Sequence, residues 1–161
     1  MTFKKAIENS KQPLNQAYQP GLKAMGKHSN KVWCARPESR TLTGSVNLDA
    51  ALARIPEYGS VNRWDYGIGY KPVTGSECAV WIEVHGAKDK EVGTIARKAK
   101  WLQEYLKQNS PELWQLTLAS PHNLRFVWLG TKSVHLPKNS PEYKRAAMVG
   151  VTLHGTDLKL P

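Results

Sequence analysis

Between Arg63 and Gly86 two β-type runs each carry a carboxylate inside an otherwise apolar pattern, and no other feature constrains the chain as much. In RWDYGIGYK (63–71), Trp64, Tyr66, Ile68 and Tyr70 alternate with Arg63, Asp65, Gly67 and Gly69. A period of two predicts a strand, with Asp65 on its less apolar face. Pro72 to Ser76 reads as a turn and CAVWIEVHG (78–86) is rich in β-formers, so the two runs predict a hairpin. In the second strand Trp81, Glu83 and His85 share one face, with Val80, Ile82 and Val84 on the other. A carboxylate in such a stretch must be paired or put to use.

The flanking segments predict helices and further strands. Asn47 is a helix N-cap, with Asp49 in the first turn and Leu48, Ala51, Leu52 and Ile55 at helical spacing up to Pro56. Residues 90–108 place Val92, Ile95, Ala96, Ala99, Leu102 and Leu106 on one stripe, with Arg97 pointing away from it. Ser110-Pro111-Glu112 starts a short helix through Trp114, and LRFVWLG (124–130) reads as a buried strand. SPEYKRAAMVG (140–150) predicts a helix capped by Ser140 with Pro141 at its first position, and VTLHG (151–155) a last strand. This order predicts one α/β domain, a central mixed β-sheet flanked by helices. Trp64, Trp81, Trp101 and Trp128 fall in the predicted core elements.

Charge is distributed unevenly over the 161 residues. The formal net charge is +10, and residues 1–44 hold eight Lys and Arg against Glu8 and Glu38, a net of +6. Pro13, Pro20, Gly21 and Gly26 interrupt helical periodicity there, so residues 1–44 are expected as a basic N-terminal arm or extension, and 45–161 as the α/β domain. A basic surface favours polyanions, because phosphates attract it at long range and release condensed counterions on contact. Lys23, Lys27, Lys31, Arg36, Arg40 and Lys88 are the candidate nucleic-acid contacts, with Tyr18 and Trp33 interleaved as possible stacking rings. Alternatively Trp33 packs in the core and the lysines are solvated surface. No apolar run reaches the roughly 18–20 residues that span a bilayer, and MTFKKAIENSKQ lacks an apolar signal core, so a cytoplasmic protein with no membrane partner is expected. Cys34 and Cys78 form no CxxC pair and read as free thiols.

Divalent-metal hydrolysis of a phosphodiester needs hard oxygen ligands on rigid neighbouring strands, because Mg²⁺ takes one or two carboxylates and completes its shell with water and phosphate. Asp65 and Glu83 fit that need. WDYGIGY followed by AVWIEVHGA resembles the D…(D/E)xK signature of the PD-(D/E)xK, or restriction-endonuclease-like, nuclease superfamily. It is also similar to bacterial proteins with an RWDY…EVH pattern. The resemblance covers roughly residues 46–130 and implies an αβββαβ core. It further implies Mg²⁺ or Mn²⁺ held by Asp65, Glu83 and the Val84 carbonyl, and cleavage of nucleic-acid phosphodiesters, DNA before RNA. Homodimerisation is an accompanying expectation for a cutter of double strands.

The third signature position is His85 where the family has lysine. A histidine, with a reference pKa of about 6.5, is mostly neutral at neutral pH and can be a base, a donor or a ligand. Lys88 directly after the strand, or Lys98 beside the apolar stripe, can replace the lysine; Lys98 is preferred because a packed helix holds a side chain more firmly than a loop. The catalytic candidates are therefore Asp65, Glu83, His85 and Lys98. Structural alternatives stand beside them: Asp65 capping a turn or pairing with Arg63, and Glu83 in an interior ion pair with Lys98 or Arg125. A catalytically inactive nucleic-acid-binding or protein-interaction module on the same fold is the competing function.

Overall fold

The structure is a computed structural model that describes residues 1–36 and 41–161. Five strands form the central sheet in the order β2 (Leu42–Asn47), β3 (Tyr66–Tyr70), β4 (Cys78–Val84), β5 (Phe126–Leu129) and β6 (Val151–Leu153). The first three are antiparallel neighbours, and β5 and β6 run parallel to β4. The sheet is thus mixed, and the chain is α/β. Asn47 caps the short helix α2 (Leu48–Leu52) as its spacing predicts, its side chain accepting from the Ala50 N–H. Ser140 does the same for α6 (Pro141–Met148) through the Tyr143 N–H.

Alternation along β4 places a different core on each face. Ala79 and Trp81 pack with α1 (Phe3–Glu8), the long helix α3 (Val92–Asn109) and α4 (Pro111–Ala119). Val80, Ile82 and Val84 pack on the opposite side with Met25, Val32, Leu158 and Leu160. Those last residues belong to a 3₁₀ segment (Lys23–Lys31) and a two-stranded parallel ribbon, β1 (Val32–Cys34) with β7 (Leu158–Leu160).

Several boundaries differ from the sequence expectation for identifiable reasons. The helix starting at Pro111 continues past Trp114 to Ala119, because Leu116 and Thr117 are also buried and the Thr117 hydroxyl bonds back to the Leu113 carbonyl. The run 124–130 opens with a helical turn, α5 (His122–Arg125), before β5 begins. The expected boundary at residue 45 falls inside β2, and Phe3, Ala6, Ile7 and Leu14 lie in the same core cluster as α3. Residues at the start of the chain are therefore part of the packed body. Cys34 and Cys78 are free thiols, Cys78 buried. No helix among the described residues is long and apolar enough to cross a membrane.

Candidate active site at the open end of β3 and β4

The β3–β4 pairing ends at Tyr66 opposite Ile82. Beyond that register the two backbones part, and side chains take over their hydrogen bonds. The Asp65 N–H donates to Glu83 Oε2 at 3.1 Å, and the Val84 N–H donates to Asp65 Oδ2 at 3.0 Å. The Asp65 carbonyl accepts from the N–H groups of Leu48 and Asp49 at 2.9 and 3.3 Å, at the start of α2. Asp65 is thus held through its N–H, its carbonyl and one carboxylate oxygen. Its other oxygen, Oδ1, faces the long helix.

From that helix Lys98 reaches the sheet. Ile95, Ala99 and Leu102 are fully buried and seat α3, and the Lys98 ammonium donates to Glu83 Oε1 while lying 3.9 Å from Asp65 Oδ1. One cation therefore touches the point on which both carboxylates converge. The Glu83 side chain is 0% exposed, Lys98 14% and Asp65 22%, so the cluster opens to solvent on the aspartate side.

Burial, and then the neighbouring Asp65 charge, push the Glu83 carboxyl up to about 8, against the opposing pull of Lys98. Asp65 is also raised, by burial first, with the Lys98 ammonium and the Val84 N–H working against it. Two carboxylates crowded in a low-dielectric corner favour an added cation, because it relieves both the desolvation and the mutual repulsion.

His85 lies beside this cluster and is oriented from outside it. Its Nε2 is 2.8 Å from Glu91 Oε2, and its Nδ1 is 3.7 Å from Glu83 Oε1. The hydrogen bond from His85 holds the Glu91 carboxyl below its ordinary range. Glu91 was not singled out by sequence; a carboxylate six residues past a histidine, across a turn, is the only signal it leaves. On the other side of Asp65, His28 Nδ1 is 3.0 Å from the Tyr66 hydroxyl, and burial followed by the Lys27 charge lowers the His28 pKa, with Asp65 opposing. Nothing in spacing links His28 to Asp65.

Arg63 pairs with Asp49 at 3.0 Å and not with Asp65, and Arg125 donates to the Ser120 and Leu118 carbonyls and not to Glu83. Of the structural alternatives, the Glu83–Lys98 pair is the one formed. Lys98 is thus common to the structural and the chemical readings.

The basic candidates divide by use. Lys23, Lys27 and Lys88 are exposed. Lys31 donates to the Gly130 and Thr156 carbonyls at 3.2 and 3.0 Å, and Arg36 to the Pro161 carbonyl at 3.2 Å, so both also tie the fold together. Arg40 lies outside the described residues. Trp33 is 45% exposed, with the Lys159 ammonium 5.0 Å from its ring centroid.

Asp65 and Glu83 offer hard oxygen donors of the kind that suits Mg²⁺ or Mn²⁺. Among the described residues there is no group of three His, Cys, Asp and Glu side chains set to hold a metal, so the donor set rests on two carboxylates with water and substrate to complete it. Val84 shows its N–H bonded to Asp65; its carbonyl is the third donor that the family resemblance implies. Comparison with protein-family models, with curated proteins and with solved structures gave no match.

Proposed function

We propose that this chain is a metal-dependent nuclease that hydrolyses nucleic-acid phosphodiesters, DNA in preference to RNA. The observation that carries the reading is the convergence of Asp65, Glu83 and Lys98 on one point at the open end of two neighbouring strands. When bound, Mg²⁺ or Mn²⁺ supplies polarisation of a phosphoryl oxygen and a bound water of lowered pKa. Asp65 and Glu83 hold the ion, Asp65 from the more open side. Lys98 replaces the lysine that the signature position lacks and sets a positive charge beside the substrate's developing negative charge. His85, fixed by Glu91 through Nε2, turns Nδ1 toward the cluster and can hold or move a proton there.

The test is cleavage of single- and double-stranded DNA and RNA in the presence of Mg²⁺ or Mn²⁺ by wild type, Asp65→Ala, Glu83→Ala and Lys98→Met. Cleavage by wild type is expected to fall by on the order of a hundredfold or more in each variant. Equal behaviour of all four proteins, in cleavage and in metal binding, overturns the reading.

A second reading has its own observation. Both Glu83 oxygens are already engaged, one by Lys98 and one by the Asp65 N–H, in a fully buried carboxylate. A closed ion pair of this kind suits a protein that binds nucleic acid on this fold without cutting it. That protein shows steep loss of affinity with salt and no cleavage with either metal.

A further inference from the structure

Two arginines converge at the first turn of α3, away from the apolar stripe. Arg97 is on α3 itself, and Arg145 comes from α6, which packs against it. A methyl-sized atom placed on Gly93 would lie 3.5 Å from Arg97 Nη1 and 3.8 Å from Arg145 Nη2, so both guanidiniums border one small space above a residue with no side chain. Both arginines are exposed. Arg97 donates only to Thr94 Oγ1, at 3.3 Å, and neither guanidinium forms an ion pair with a carboxylate among the described residues.

Like charges do not gather over an empty space without cost, and no neighbouring acid offsets them. Guanidinium is the group that grips phosphate through paired N–H bonds. The turn that carries the space is also tethered to the carboxylate site at two points: Glu91 just before it holds His85, and Lys98 one turn on holds Glu83. The helix rise from Gly93 to Lys98 is about 7.5 Å, on the order of two base-pair steps of duplex at about 3.4 Å each along one strand.

We propose that Arg97 and Arg145 form a seat for a backbone phosphate of nucleic acid, flanking the phosphodiester at Asp65 and Glu83. The choice of nucleic acid as ligand rests on the nuclease reading; the seat itself rests on the two guanidiniums. Gly93 keeps the seat open, and a carboxylate grafted there fills it from within.

The experiment measures binding of a labelled 20-base-pair duplex to the full chain in EDTA over a series of salt concentrations, so that no cleavage enters. Arg97→Ala/Arg145→Ala is expected to weaken binding by on the order of tenfold and to reduce the log–log salt slope by roughly two. Gly93→Glu is expected to weaken binding similarly while keeping or raising Tm, since glycine is a poor helix residue and glutamate a good one. A matched loss of two exposed charges elsewhere, Lys132→Ala/Lys138→Ala, is expected to cost less than about threefold. The seat is refuted if the two double variants weaken binding equally, if wild type does not bind the duplex, or if poly-glutamate competes as well as DNA does. A wild type that binds through the arginines but cuts nothing with Mg²⁺ or Mn²⁺ keeps the seat and removes the nuclease reading.

Discussion

Asp65 is held in place by bonds that its own backbone makes, and Gly67 two residues on allows the neighbouring strand to close up. A Cβ on Gly67 would lie 2.5 Å from the Trp81 ring, which covers it from the directly paired position on β4. Trp81 is fully buried and its indole N–H is bonded to the Thr117 hydroxyl at 2.8 Å, so the ring has no free direction in which to retreat. Gly67→Ala is expected to destabilise the fold by about 1–3 kcal/mol through overpacking, read as a lower denaturant midpoint at unchanged slope. Because Asp65 and Glu83 extend from these two strands, the same substitution is expected to weaken divalent-ion binding, measured by calorimetry under conditions where the variant is folded.

At the scale of elements, the N-terminal helix is a structural part of the sheet's cover. Phe3 and Ile7 are fully buried, the Phe3 N–H donates to Glu77 Oε1 at 2.8 Å, and the Ser10 hydroxyl is 2.9 Å from that of Ser110 at the start of α4. Phe3→Ala is expected to cost about 3–5 kcal/mol, seen in equilibrium unfolding. Little loss of stability in that variant would mean that α1 is a detachable arm. The long helix, the β3–β4 hairpin and both Asn47 and Ser140 caps were legible because each has a local signal: a stripe, an alternation, a capping side chain. The carboxylate pair was legible for the same reason, as two acids breaking apolar runs. Strands β1 and β7 are three residues each, too short for a period to show. In β2, Gly44 lies where the Tyr18 ring packs, which removes a side chain from the pattern. Glu91, His28 and Arg145 reach the site or its surroundings only through tertiary packing, which spacing along the chain does not encode.

For the molecule as a whole, the buried carboxylates set how stability responds to pH. Glu83 keeps its proton up to about 8 when folded, against an ordinary 4.5, so between those values the folded state binds more protons than the unfolded one. Stability then falls as pH rises through that window, and the raised Asp65 acts in the same direction. In EDTA, Tm is expected to drop from pH 5 to pH 8, and Glu83→Gln, which cannot lose a proton, is expected to flatten that slope. An identical slope in the variant would show that other groups govern it.

The parallel ribbon of β1 and β7 joins residues 32–34 to residues 158–160 beneath the sheet face that carries Ile68, Val80 and Ile82. During synthesis the earlier strand leaves the ribosome long before its partner exists. Until then Val32 and Met25 cover the sheet without the strand that completes the layer, so the basic early segment passes through a period of incomplete burial whose length is set by the rate of translation.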